Sequence, residues 1–90
     1  MIELSFEKEN RMRYQVNTKL TAQEAIKRAK SYFGPGGTGL EITSEDDTCV
    51  SFEGGGGYVS VVACPGDEVR VELEVREWDY AARQFMKQIG

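Results

Sequence analysis

LEITSEDDTCVSFEGGGGYVSVVACPGDEVRVELEV, residues 40–75, holds four runs of alternating apolar and polar residues separated by three turn-forming clusters. Side chains alternate faces along a strand, so a working register must place the whole apolar set on one side. A turn centred on Asp46 sets Leu40 opposite Phe52 and Ile42 opposite Val50. A turn at Gly54-Gly55-Gly56-Gly57 sets Phe52 opposite Val59 and Val50 opposite Val61. A third, at Pro65-Gly66-Asp67, sets Val59 opposite Leu73, Val61 opposite Val71 and Ala63 opposite Val69. Every apolar row closes, which predicts a four-stranded antiparallel meander.

Upstream, Ile2, Leu4 and Phe6 alternate with polar residues, and the same phase resumes at Met12, Tyr14 and Val16. A turn at Lys8-Glu9-Asn10 pairs Phe6 with Met12, Leu4 with Tyr14 and Ile2 with Val16, and on the other face Glu7 with Arg11. One long bent strand over residues 2–17 has the same parity and stays open as the alternative. Thr21-Ala22-Gln23-Glu24 is a capping box, with Leu20 as staple against Ala25. Ala22, Ala25, Ile26, Ala29 and Phe33 follow at helical spacing. Gly34-Pro35 should end this helix through a left-handed glycine. A second helix is expected from Asp79 as N-cap, with Ala82, Phe85, Met86 and Ile89 on its buried stripe.

The order strand, strand, helix, four strands, helix predicts a two-layer α+β domain over residues 1–90, both helices on the apolar face of one antiparallel sheet. The first helix carries the chain across the sheet, so the strand over 40–44 runs parallel to that over 11–17. The strand over 69–75 can then close against the latter. With about six strands lettered A to F in chain order, the spatial order is A-B-F-E-D-C. From Arg11 onward this arrangement resembles the helix-grip and TBP-like folds, which wrap a curved antiparallel sheet around helices; the likeness is one of topology and implies no activity. Phe52-Glu53-Gly54-Gly55-Gly56-Gly57 and Arg76-Glu77-Trp78-Asp79-Tyr80 are similar to runs in small uncharacterised bacterial proteins, which implies no activity either.

Composition narrows the partners. Ninety residues with a formal charge of −4 contain no basic run to neutralise phosphates, so neither nucleic acid nor an anionic membrane is expected as partner. An acid at position 3, and no basic region followed by an apolar run, predict a chain without a secretory signal and hence a cytoplasmic protein. Cys49 and Cys64 fall diagonally on one face at roughly 7–8 Å between Cα atoms, wide of the usual disulfide span of about 4.4–6.8 Å. Both should be free thiols.

Eight of the ten glycines (34, 36, 37, 39 and 54 to 57) lie in two loops that the topology brings to one end of the sheet, beside Trp78. Free N–H groups of Gly36, Gly37, Gly55 and Gly56, near the start of the second helix at Asp79, could hold an anion or carboxylate, with Trp78 or Tyr80 as an apolar wall. The plainer account makes these glycines turn residues and Trp78 a plug over the core. Neither loop leads into a helix, so neither fits a phosphate-binding motif.

The outer sheet face is the second candidate. The register above sets Glu53, Tyr58 and Glu74 in one row, and Glu41, Ser51, Ser60 and Glu72 in the next. Paired carboxylates can share a proton or bind a hard cation, yet Arg11, Arg13, Arg70 and Arg76 can equally interleave with them as a solvated surface. Cys49, set beside Thr43 and Val62, has no histidine partner anywhere in the chain. Cys-His and Ser-His mechanisms are therefore excluded, and two cysteines without histidine do not make a protein-only zinc site. The expectation is a small non-enzymatic binding or protein-interaction module, without cofactor, metal or catalytic residues. It would be a monomer, or a weak homodimer through an edge strand over 2–7 or 40–44. The alternative is a small-ligand binder or weak enzyme at the glycine-rich end.

Overall fold

Residues 12–90 are described by a computed structural model. The expected strand over 2–7, its pairing with 12–16 and the Glu7–Arg11 pair lie outside the described residues. The elements are β1 (Met12–Thr18), α1 (Ala22–Phe33), β2 (Glu41–Glu45), β3 (Cys49–Gly54), β4 (Gly57–Cys64), β5 (Val69–Arg76) and α2 (Asp79–Ile89). Among the described residues five strands form one antiparallel sheet in the order β1-β5-β4-β3-β2, where about six were expected for the whole chain. Four antiparallel steps separate β1 from β2, so these two end strands run parallel, as the crossover through α1 requires.

Both helices cover one face of the sheet, α1 on β3 and β4, α2 on β1 and β5. Between the layers lie Val50, Phe52, Val59, Val61, Val71, Leu73 and Val75 from the sheet, and Ala25, Ala29, Phe33, Ala82 and Phe85 from the helices, all buried. Phe33 stacks obliquely on Phe52 at 5.5 Å and on Phe85 at 5.2 Å between centroids, joining the sheet to both helices. No helix among the described residues is long and apolar enough to cross a membrane.

Local chemistry sets the helix ends. The Thr21 hydroxyl accepts from the Glu24 N–H at 3.1 Å, and the Glu24 carboxylate accepts from the Thr21 N–H at 3.0 Å, completing the capping box. Two expectations need correction. Gly34 is not left-handed; its φ of −73° and ψ of −170° are extended, the conformation that the following Pro35 imposes. Its lack of a side chain matters sterically, because a Cβ there would sit 2.4 Å from the Lys30 carbonyl oxygen. Asp79 is not the N-cap of α2 but its first residue. Trp78 occupies the cap without a side-chain hydrogen bond to the helix N–H groups, and the Asp79 carboxylate lies 3.8 Å from Arg83.

The β3–β4 register is as expected, Cys49 opposite Val62, Val50 opposite Val61 and Phe52 opposite Val59. The β4–β5 register differs by two residues: Val59 faces Val75, Val61 faces Leu73 and Ala63 faces Val71. The last β4–β5 pair, Cys64 with Arg70, thus encloses five residues, 65–69, rather than three. The shift sets the fully buried Val75 against Val59, where the shorter loop would have set it opposite Gly57. The β2–β3 pairing differs as well. Asp46 accepts the Thr48 N–H on its side chain and donates its own N–H to the Cys49 carbonyl, which tightens the turn onto residues 47 and 48. The residue left over is absorbed as a bulge between Ile42 and Ser44, so Ile42 faces Phe52 and Glu45 faces Val50. Leu40 precedes the ladder and packs against Gly54, where a Cβ would approach Leu40 Cδ2 to 2.7 Å. Because a bulge switches faces, Glu45 lies on the helix side, where Lys30 of α1 meets it at 3.1 Å.

Candidate functional site

The face of the sheet opposite the helices carries rows that follow from these registers. Glu41, Glu53, Tyr58 and Arg76 form the first, and Ser44, Ser51, Ser60, Glu74 and Arg13 the second. Cys49, Val62, Glu72 and Gln15 form the third, with Cys64, Arg70 and Asn17 beyond. The expected rows are corrected accordingly. Glu53 and Tyr58 align with Glu41 and Arg76 rather than with Glu74, and Glu41 leaves the Ser51–Ser60 row. Cys49 lies beside Asp46, not Thr43.

Polar groups on this face hold one another. Tyr58 Oη donates to Glu74 Oε2 at 2.6 Å along a diagonal, and Arg13 Nη2 lies 3.4 Å from the other oxygen of the same carboxylate. The Ser51 and Ser60 hydroxyls meet at 3.1 Å, and Arg70 Nε donates to Glu72 Oε2 at 2.9 Å. The two ion pairs among these contribute about 0–1 kcal/mol each. They lie around a shallow depression of about 550 Å³ across β1, β5 and β4. Arg13, Gln15, Ser60, Val62, Glu72 and Glu74 are among the residues that line it.

Val62 is the residue that sequence reasoning passed over. It is 40% exposed, an aliphatic side chain at an outward position of β4 between Ser60 and Cys64. The signal is Val61-Val62: two consecutive valines in an otherwise alternating strand put one of them on the wet face.

The glycine-rich end is built differently from the anion site weighed above. The N–H groups of Gly37, Thr38, Gly39 and Leu40 donate to the carbonyls of Gly34, Tyr32, Gly34 and Phe33. The loop therefore folds back to satisfy the carbonyls that α1 leaves open at its C-terminus. Gly37 must be bare because a Cβ would come within 2.3 Å of the Tyr32 oxygen, whereas Gly36 faces open space. Gly55 and Gly56 have φ of 59° and 82°, as a two-residue hairpin turn with positive φ at both positions needs. Trp78 lies on this turn, its Nε1 donating to the Gly54 carbonyl at 2.9 Å and its ring contacting Gly55. Tyr80 is 74% exposed, and Asp79 is turned to Arg83. Of the candidate residues at this end, ring packing brings together Gly55 and Trp78.

The β2 edge is five residues long, bulged, bounded by Glu41 and Glu45 and followed by Asp46 and Asp47. These are features by which natural sheets discourage strand addition. The chain finds no significant match among protein-family models, curated proteins or solved structures.

Proposed function

We propose that this protein is a non-enzymatic, cytosolic binding module that engages a protein partner across the helix-free face of its sheet. The observation that supports this most is the exposed Val62 in the lining of the depression, which it shares with Arg13, Glu72 and Glu74, each paired with a charged neighbour. An apolar centre within an ordered polar rim is the usual anatomy of a small protein interface. Side chains fixed before binding lose less entropy on binding. The absence of histidine from the sequence removes the commonest general base and supports binding over catalysis. The resemblance to helix-grip and TBP-like folds expected from the element order adds no site to this reading.

The test is capture of partners from cell extract on immobilised protein, compared across variants. Partners retained by the wild type and by Lys87→Glu on α2, but lost with Val62→Arg, support the face. Partners that survive Val62→Arg and are lost with Trp78→Phe would move the site to the glycine-rich end.

A further inference from the structure

Cys49 and Cys64 are both free, both half-exposed, and both on the helix-free face. Val62 links them: it faces Cys49 across the ladder and precedes Cys64 by two residues on β4. The Ala63 N–H donates to the Thr48 carbonyl at 2.8 Å, so that pair is hydrogen-bonded and Cys49–Val62 is the closely spaced pair that follows it. Cys49 and Cys64 are therefore diagonal neighbours, roughly 7–8 Å apart at Cα. A disulfide spans only about 4.4–6.8 Å between Cα atoms. A metal held between two sulfurs replaces one S–S bond of about 2.05 Å by two metal–sulfur bonds of about 2.3 Å, which lengthens the reach by about 2.5 Å. The span becomes about 7–9 Å at Cα and brackets the diagonal. A register too wide for a disulfide is thus the right width for a metal bridge.

We propose that Cys49 and Cys64 form a two-thiolate site for a soft monovalent d10 cation, of which Cu(I) is the type. Thiolates select soft ions, and Cu(I) accepts two ligands in a line, whereas zinc demands four. Among the described residues no group of three or more His, Cys, Asp or Glu could hold a metal, which fits a two-coordinate ion and not zinc. On binding, each thiol releases its proton to solvent and two copper–sulfur bonds form, with no change of oxidation state. The product carries one negative charge. Arg70 is the cross-strand partner of Cys64 on β5, and its guanidinium is bonded to Glu72. Both ligands sit on paired strands, so little is lost in ordering them.

The test titrates the reduced full chain, without oxygen, with Cu(I) held by bathocuproine disulfonate, and reads stoichiometry by native mass spectrometry. One copper per chain with loss of two protons is expected. Cys49→Ser and Cys64→Ser should each weaken binding by roughly two to three orders of magnitude, the gain from two ligands on one frame. Two coppers per chain, a copper shared between two chains, or single variants that bind as tightly as wild type would each overturn the site. The geometry has its own control in V62C/C64S, which sets two thiols directly opposite, about 4.5 Å apart at Cα. That variant should oxidise to an intramolecular disulfide in air while the wild type stays reduced, and the reverse outcome would refute the diagonal.

Discussion

The Thr18 hydroxyl donates a hydrogen bond to the Ile89 carbonyl, tying the end of β1 to the last turn of α2. The same oxygen accepts the Leu20 N–H at 3.2 Å, so one buried side chain satisfies two backbone groups at the junction of three elements. Thr18→Val keeps the shape and leaves both groups without this partner. It should cost about 1–3 kcal/mol, the penalty for stranding buried polar atoms. Thr18→Ser should cost less. Chemical denaturation checks the magnitudes, and hydrogen exchange should show the last turn of α2 opening first in the valine variant.

The Gly55–Gly56 turn separates two reasons for being glycine. Both have positive φ, but a Cβ on Gly56 meets open space, while one on Gly55 comes within 2.7 Å of Trp78 Cζ2. Gly56→Ala should therefore cost only the left-handed backbone penalty, about 1–2 kcal/mol. Gly55→Ala should cost more, since it also pushes Trp78 off its hydrogen bond to Gly54. In a Trp78→Phe background the two alanine variants should cost nearly the same. Equal costs in the wild-type background would mean that the indole does not pack on Gly55.

The buried face of β4, the capping box of α1 and the strand order were legible in the sequence, whereas the caps expected at Gly34 and Asp79 were not. The alternation through Val59, Val61 and Ala63 assigns faces without knowledge of partners, and Thr21 with Glu24 declares a helix start. Register was less legible. A slip of two residues between β4 and β5 leaves Val61 facing inward and merely exchanges Val71 for Leu73, so apolar pairing cannot choose between them. The bulge between Ile42 and Ser44 was invisible for a related reason. It follows from the Asp46 side chain capturing the Thr48 N–H, a choice among turns that the composition of residues 45–48 does not force. Among the candidate site residues, the glycines were correctly placed in turns. What the sequence could not show is where the N–H groups of Gly37 and Gly39 point, and they point back into the end of α1.

Val61 and Val62 are adjacent in sequence and opposite in environment. Val61 is fully buried between Val50 and Leu73, and Val62 is on the wet face. Val61→Lys places an ammonium in the core without a partner and should remove more than about 4 kcal/mol, enough to unfold most of the population of a domain this size. Circular dichroism and a denaturation curve read this directly. A cooperative, near-wild-type transition for Val61→Lys would invert the assignment of faces.

Val62 also reports the β4–β5 register. In the structure it faces Glu72; in the register two residues away, which closes the apolar rows equally well, it would face Arg70. Opposite charges directly across an antiparallel pair stabilise by about 0.2–1 kcal/mol, and like charges destabilise. Val62→Lys should therefore be more stable than Val62→Glu by about 0.5–1 kcal/mol at low salt. The gap should narrow as salt is raised, because both charges are exposed. Glu72→Gln in each background isolates the pair and should erase most of the difference. The reversed order, with the glutamate variant the more stable and the gap removed by Arg70→Gln instead, would show that the strands pair two residues out of the register seen here.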